Sequence, residues 1–199
     1  MILGWVFIVA AWLAAVVYLR VRRQWLLYYV VAAVGFTLIT VLLCRGTAAE
    51  EALEGVTAQH AHDVAGIMGV PTIIFRNAPG TMLVLVVVGE VGWTVIQVDI
   101  ECSGLLELAA FAGLLLFYPG LRAPKRFLDL LFGLAATYLI NILRLLVIIA
   151  FLHWGGKDII FLAHTIIGRG LFFILVIAVY WFVFTRAAVG TVRRRIEAV

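Results

Sequence analysis

Long apolar runs separated by short polar segments make up most of this chain. A helix needs about 20 consecutive apolar residues to cross a bilayer. The pattern predicts five spans, at about 2–19, 25–44, 103–118, 127–153 and 159–185. We therefore expect a single integral membrane domain over residues 1–199, an all-α polytopic membrane protein with about five transmembrane helices.

The stretch 45–101, between the second and third predicted spans, has a different pattern. Its first part has apolar residues at helical spacing, at Leu53, Val56, Val64 and Ile67. This spacing predicts an amphipathic helix along the membrane surface. After Pro71 the chain is rich in β-branched residues, which predicts two or three short strands, packed as a small β-hairpin. The predicted turns are at Asn77–Gly80 and Gly89–Gly92.

Composition agrees with a membrane protein, since 65% of residues are hydrophobic and 13% are charged. The net charge of +4 does not indicate nucleic-acid binding, because the basic residues flank the apolar runs. The two cysteines are too few for a disulfide framework, and no CxxC motif is present. No cofactor is expected from the sequence.

The basic residues predict the orientation of the helices. They cluster in the first and third loops and after the last span, at Arg20, Arg22, Arg23, Arg122, Lys125, Arg126, Arg186 and Arg193–Arg195. The positive-inside rule then places the N-terminus outside and the C-terminus in the cytoplasm of a multi-pass cell-membrane protein. The first run reads as a span and not as a cleaved signal peptide, because no Lys or Arg precedes Arg20. The insertion 45–101 is then extracytoplasmic.

Two polar residues inside the predicted spans are candidates for function. Arg144 lies in the outer half of the fourth span, near Asn141 on the same face, and a charge in a span costs roughly 2.5–3.5 kcal/mol. The alternative is that Arg144 snorkels or pairs with a structural acid such as Glu107. His164 lies in the first turns of the fifth span; alone, it is equally typical of an interfacial hydrogen-bonding residue.

Cys102 begins the third predicted span, at the same face of the bilayer. The N–H groups and dipole of a helix N-terminus favour the thiolate, whereas Asp99, Glu101 and Glu107 raise the thiol pKa. The alternatives are a small buried residue or a disulfide with Cys44, which also lies at an outer helix end. Cys102, Arg144 and His164 come from three spans, yet the predicted topology places them at one face. Together they fit cysteine acyl transfer, with a thiolate, a cation for the oxyanion and a general acid.

The motifs "ECSGLLEL", "NILRLL" and "HTIIG", in this order and in membrane segments, resemble the Cys, Arg and His motifs of the exosortase/archaeosortase family. The resemblance covers about residues 80–175 and is nearest to the compact forms of Gram-positive bacteria. It implies that Cys102 is the nucleophile, Arg144 the oxyanion-stabilising residue and His164 the acid/base. Ser103 and Gly104 belong to the Cys motif, and Asn141 belongs to the Arg motif.

The resemblance also implies an activity and partners. The family is thought to consist of membrane transpeptidases that cleave a C-terminal sorting signal of membrane-anchored proteins at the outer face. The acyl group then passes through a Cys thioester to an amine, on a surface glycan or lipid acceptor. The implied protein is thus a cysteine peptidase that works within the lipid bilayer.

Other interpretations stay open at this stage. One is a non-catalytic membrane scaffold or assembly factor; another is a membrane acyltransferase or a thiol oxidoreductase that uses Cys44 and Cys102. The motif "HAHD" at 60–63 reads as a solvated polar patch and less well as a metal site, so no metal is expected. Arg169, five residues after His164, does not share its α-helical face; a polar cavity or a lipid head group would explain it.

Overall fold

The computed structural model describes residues 2–78, 81–88, 92–118 and 123–196. In chain order its helices are α1 (Ile2–Val21), α2 (Trp25–Cys44), α3 (Ala48–Ile67), α4 (Ile100–Ser103), α5 (Leu105–Leu116), α6 (Ala123–Gly155) and α7 (Arg169–Ile196). A 3-10 turn (Lys157–Ile159) and a π-helical segment (Leu162–Gly168) precede α7. Three strands, β1 (Thr72–Ala78), β2 (Thr81–Val88) and β3 (Gly92–Val98), lie between α3 and α4.

The predicted apolar runs form helices, and the described part of the chain has four that are long and apolar enough to cross a membrane. They are Gly4–Val21, Trp25–Cys44, Ala123–Gly155 and Leu162–Phe184. The predicted third span is shorter than expected, because the chain turns at Gly104 and α5 has 12 residues. At about 1.5 Å per residue, α5 is about 18 Å long. A polytopic helical membrane protein is therefore confirmed at this level.

The outer faces of the long helices are apolar. Phe7 of α1 and Leu26 of α2 are each 76% exposed, and Trp181 of α7 is 70% exposed. Large exposed apolar surfaces of this kind are unfavourable in water and favourable against lipid chains. These faces therefore have the chemistry of a lipid-facing surface.

Aromatic contacts bring together one end of the helical bundle. The Tyr118 ring lies 6.0 Å from the Tyr29 ring and 5.0 Å from the Phe184 ring. The Arg126 guanidinium donates a 2.9 Å hydrogen bond to the carbonyl oxygen of Tyr118. The start of α2, the end of α5 and the start of α6 therefore lie at one end of the molecule. Arg122, one of the basic residues predicted there, lies outside the described residues.

The other end carries α3 and an antiparallel sheet of order β1-β2-β3. Inward-facing Ile96 and Val98 of β3 pack with α3 and α6 in one buried cluster that includes Ala58 and Ile148. The predicted helix is present as α3, and the two or three predicted strands are observed as three. Parts of its two predicted turns, residues 79–80 and 89–91, lie outside the described residues.

Helix α3 turns a different face inward than its large apolar residues suggest. Its buried positions are Glu50, Glu54, Thr57, Ala58, Ala61 and Ala65. Val56 and Ile67 are 47% and 86% exposed. Small side chains allow close packing against α6 and the sheet, so the bulky apolar residues face away from the protein.

Candidate active site

The Cys102 thiol lies on a short helical turn that Asp99 caps. The Asp99 carboxylate accepts hydrogen bonds from the backbone N–H groups of Glu101 at 3.0 Å and Cys102 at 3.3 Å. Its backbone carbonyl also accepts from the N–H of Ser103 at 2.7 Å. An Asp at this position satisfies N–H groups that the start of a helix leaves without partners. The turn therefore fixes the backbone of Cys102, whose side chain is 3% exposed.

The residues that follow Cys102 join this turn to α5. The backbone of Gly104 has φ +81°, a left-handed conformation that glycine adopts without strain. A Cβ atom built on Gly104 would lie 3.0 Å from Nδ2 of Asn141. The Ser103 hydroxyl donates to the carbonyl oxygen of Ile100 at 3.1 Å. Gly104 thus permits both the change of direction and the close approach of α6.

Asn141 and Thr57 hold the turn from two other helices. The Asn141 amide donates a 2.7 Å hydrogen bond to the carbonyl oxygen of Cys102. The Thr57 hydroxyl of α3 donates to the carbonyl oxygen of Ser103 at 3.4 Å. Both side chains are almost fully buried, at 1% and 0% exposed. The nucleophile candidate is therefore fixed by contacts from α3, α6 and its own capping residue.

His164 reaches Cys102 from the π-helical segment. Its Nε2 lies 3.8 Å from the Cys102 Sγ, although the two residues are 62 positions apart in the chain. A π-helix bonds residue i to residue i+5, so residues five positions apart come nearly one turn apart. This explains why His164 and Arg169 both face the α4 turn, which α-helical spacing did not predict.

Arg144 of α6 contacts the backbone next to Cys102. Its Nη1 donates to the carbonyl oxygen of Glu101 at 3.3 Å and lies 4.0 Å from Oε1 of Glu107. Its guanidinium carbon is 5.7 Å from the centre of the Phe172 ring. The residue is 3% exposed, and its Nε has no hydrogen-bond partner among the described residues. The predicted pairing with Glu107 is present, alongside a direct contact with the backbone next to Cys102.

Arg169 pairs with Glu101 at the surface. Its Nη2 lies 3.3 Å from the Glu101 Oε2, and both side chains are more than half exposed. Arg169 and Arg144 line one cavity together with Glu101 and Glu107.

Two cavities flank the α4 turn, and Glu101 lines both. One, of about 380 Å³, contains Cys102 and His164 and is otherwise largely apolar, with Ile148, Leu152, Ile160 and Phe161 in its wall. The other, of about 400 Å³, contains Arg144, Arg169 and Glu107 with Leu106, Phe172 and Phe173. Arg144 is not among the described residues that line the cavity of Cys102. The structure therefore joins Cys102 directly to His164, and joins Arg144 to them through the Glu101 backbone.

Opposing effects act on the Cys102 thiol. Burial raises its pKa above the usual value, while the Arg144 guanidinium lowers it. The carboxylates of Asp99 and Glu101 raise the pKa, and the backbone hydrogen bond to Asp99 lowers it. Burial is the largest of these effects, so the resting group is a thiol. A base must therefore remove its proton before it can act as a nucleophile.

Two residues that hold the turn, Asp99 and Thr57, were not among the predicted site residues, and neither was the buried Glu54. The sequence indicates an effect of the Asp99 charge on the thiol, and an Asp three residues before a Cys at a helix start is also typical of a helix N-cap. Thr57 and Glu54 belong to α3, and the sequence has no motif that links them to Cys102. Burial and the carboxylates of Glu50, Asp99 and Glu51 raise the pKa of Glu54 to about 7.

The remaining candidates lie apart from the turn. Cys44 and Cys102 are both free thiols in the structure. His60 Nδ1 lies 2.7 Å from the Tyr138 hydroxyl, and His62 Nδ1 lies 2.6 Å from the Thr72 hydroxyl. In the described ranges, no group of three His, Cys, Asp or Glu side chains is arranged to hold a metal ion.

Comparison with protein-family models, curated proteins and solved structures gave no match to this chain. The assignment of a candidate active site therefore depends on the geometry of its residues and on the three sequence motifs that contain Cys102, Arg144 and His164.

Proposed function

We propose that this protein is a membrane-embedded cysteine peptidase and transpeptidase, of the exosortase type that its motifs resemble. The observation that carries the proposal is the 3.8 Å separation between Cys102 Sγ and His164 Nε2, which line one cavity. A thiol within reach of an imidazole is the minimal pair for nucleophilic acyl transfer.

The reaction follows from this pair. His164 takes the thiol proton, and the Cys102 sulfur attacks the carbonyl carbon of the scissile amide. The C–N bond breaks, His164 protonates the leaving amine, and the acyl group remains on Cys102 as a thioester. An acceptor amine, or water, then attacks the thioester, gives its proton to His164 and releases the acyl product while the thiol is restored.

Arg144 contributes charge to this reaction. Its guanidinium is nearly fully buried and already lowers the pKa of the Cys102 thiol, so it stabilises negative charge on the sulfur. The same field stabilises the oxyanion of the tetrahedral intermediate. Asn141, Ser103 and Gly104 position the turn, and Glu107 and Arg169 hold Arg144 and Glu101 in place.

The substrate we propose is a membrane-anchored protein with a C-terminal sorting signal, whose acceptor is a surface glycan or lipid. The proposed topology has five spans in the plasma membrane, the four long helices and the shorter α5, with the N-terminus outside and the C-terminus inside. Its support is the grouping of the basic helix ends at the end of the bundle away from Cys102. By the positive-inside rule that end is cytoplasmic, so the site opens toward the extracytoplasmic face.

The proposal is tested by co-expression with a membrane-anchored protein that carries such a C-terminal signal, followed by intact-mass analysis of both proteins. The wild type is expected to shorten the substrate and to carry a thioester adduct on Cys102. Cys102→Ala and His164→Ala are expected to leave the substrate uncut. Equal processing by wild type and Cys102→Ala would exclude Cys102 as the nucleophile.

Cys44→Ser is the matched control, because it removes the other free thiol. The peptidase requires that this variant retain full processing. A thiol oxidoreductase would lose its activity with Cys44→Ser, and a scaffold would keep its function with Cys102→Ala.

A further inference from the structure

We propose that strand β3 binds the substrate: the segment before the scissile bond pairs with the free edge of β3 as a fourth, parallel strand. This inference rests on the proposed function, and it names the conformation of the substrate and the residues that select it.

The first observation is that β3 is an edge strand. The sheet order is β1-β2-β3, and β3 pairs with β2 from Gly92 to Val98. Among the described residues, no backbone hydrogen bond pairs residues 94–98 of β3 with a strand on the side away from β2. An edge of this kind offers N–H and C=O groups that a second chain can pair with, which is how many extended peptides are bound.

The second observation is that the cavity of Cys102 reaches this edge. Its lining includes Val95, Ile96 and Gln97, three consecutive residues of β3. The side chain of Ile96 is buried beneath the sheet, whereas those of Val95 and Gln97 are exposed on the other face. A cavity that touches side chains of both faces approaches the strand at its edge, where the backbone is accessible.

The third observation is continuity along the chain. β3 ends at Val98, Asp99 caps the next turn, and Cys102 lies on that turn. A peptide that runs along β3 toward Cys102 has its N-terminal part beside Gly92 and its scissile carbonyl at the sulfur. The two strands then run in the same direction, so the pairing is parallel.

The wall of the cavity predicts the preferred side chains. The apolar part of this wall consists of the exposed side chains of Ile160 and Phe161 together with the buried Ile148 and Leu152. Alternate residues of a paired strand point to the same side. The substrate should therefore have an apolar residue at every second position before the cleavage site, and Val95 and Gln97 should contact the residues between them.

The test uses a defined probe, the peptide acetyl-Thr-Val-Thr-Val with a C-terminal acyloxymethyl ketone, which alkylates an active-site thiol. Two analogues carry one backbone N-methyl group each, on adjacent residues. In a parallel strand every second residue directs its N–H to the neighbouring strand. One analogue is therefore expected to alkylate Cys102 at least tenfold more slowly, and the other at nearly the unmodified rate. Equal effects of both analogues would overturn the pairing.

Protein variants locate the contact. Val95→Asp is expected to slow alkylation by the peptide at least tenfold more than it slows alkylation by iodoacetamide, which is too small to pair with the strand. Ile73→Asp is the matched control, since Ile73 is 48% exposed on the opposite edge strand β1. Equal effects of the two variants would also overturn the pairing.

A photoreactive benzophenone at the peptide N-terminus forms cross-links where the peptide binds, so it reports pairing with β3 independently of the reaction at Cys102. Cross-links to β3 without alkylation of Cys102 would support the pairing and remove Cys102 as the nucleophile. Alkylation of Cys102 with cross-links elsewhere would keep the nucleophile and overturn the pairing. Neither cross-links to β3 nor alkylation would overturn both.

Discussion

The side-chain amide of Asn141 donates a 2.7 Å hydrogen bond to the backbone carbonyl of Cys102, and both groups are buried. This bond ties the longest helix of the protein to the turn that carries the thiol. Through it, α6 controls the position of Cys102 as well as that of Arg144.

Replacing Asn141 with Ala should therefore leave the Cys102 carbonyl without its donor. An unsatisfied buried acceptor costs about 1–3 kcal/mol, so the thermal midpoint in detergent should fall and substrate cleavage should drop at least tenfold. Thr137→Val is the control, because Thr137 is fully buried one turn earlier and its hydroxyl has no partner among the described residues. Equal losses in both variants would contradict the assigned role of Asn141.

Gly104→Ala should disrupt the turn between α4 and α5 in two ways. The left-handed backbone costs about 1–2 kcal/mol for a residue with a side chain, and the new Cβ would meet Asn141 at 3.0 Å. Gly46 has φ +70° and open space around it, so Gly46→Ala has the backbone cost alone. We expect a lower thermal midpoint for both, and a loss of cleavage for Gly104→Ala only. Full cleavage by Gly104→Ala would show that the turn tolerates this displacement.

Arg144 and Glu107 should behave as a coupled pair. Removing one partner of a buried pair leaves an uncompensated charge, which costs about 3–5 kcal/mol. Arg144→Ala should therefore destabilise the protein strongly, and Arg144→Ala with Glu107→Ala should recover part of that loss. Thermal unfolding of the two single variants and the double variant measures the coupling, and strictly additive losses would exclude it.

Arg144→Lys separates charge from geometry at the same position. Lysine keeps the positive charge and lacks the planar fork of donors. Its thermal midpoint should stay close to that of the wild type, while cleavage should fall at least tenfold. Unchanged cleavage would mean that charge alone is needed.

Asp99 should influence the reactivity of the thiol with pH. Its carboxylate raises the pKa of the Cys102 thiol by its charge, while a hydrogen bond from the Asp99 backbone lowers it. Asp99→Asn keeps a capping oxygen and removes the charge, so the midpoint of iodoacetamide alkylation should move to lower pH. Asp99→Ala also removes the cap, which should cost about 1 kcal/mol of stability. A midpoint that moves to higher pH in Asp99→Asn would contradict the assigned charge effect.

Glu54 should make stability depend on pH. Its pKa is raised to about 7 in the folded protein from an ordinary 4.5, so the folded state retains the proton that the unfolded state releases. Stability should therefore fall as pH rises from about 4.5 to 7, and Glu54→Gln should raise the thermal midpoint at pH 8 but not at pH 4.5. Asp63→Asn is the control, because Asp63 is exposed on the same helix and is not among the groups that raise the pKa of Glu54. A wild-type midpoint that rises with pH over this range would contradict the prediction.

The long helices could be predicted from the sequence because lipid requires a length and a composition that few other structures need. The contact between Cys102 and His164 could be expected in part, because the predicted spans and the basic loops already placed both residues near one face of the bilayer. The pairing of Arg169 with Glu101 could not be predicted from the sequence. In an α-helix Arg169 and His164 would lie on different faces, whereas the π-helical segment brings both residues to the same face. The buried face of α3 could not be predicted either, because its buried residues are small or polar and its most exposed residues include the bulky apolar Val56 and Ile67.

The short α5 has a consequence for the size of the product. Cys102 lies just before the N-terminal end of α5, and a helix of 12 residues is about 18 Å long. The hydrocarbon core of a bilayer is about 30 Å thick, so with the far end of α5 at the cytoplasmic interface Cys102 would lie below the outer surface of the bilayer. A substrate anchor cut at that depth would leave a stub in the membrane that is shorter than a complete transmembrane helix.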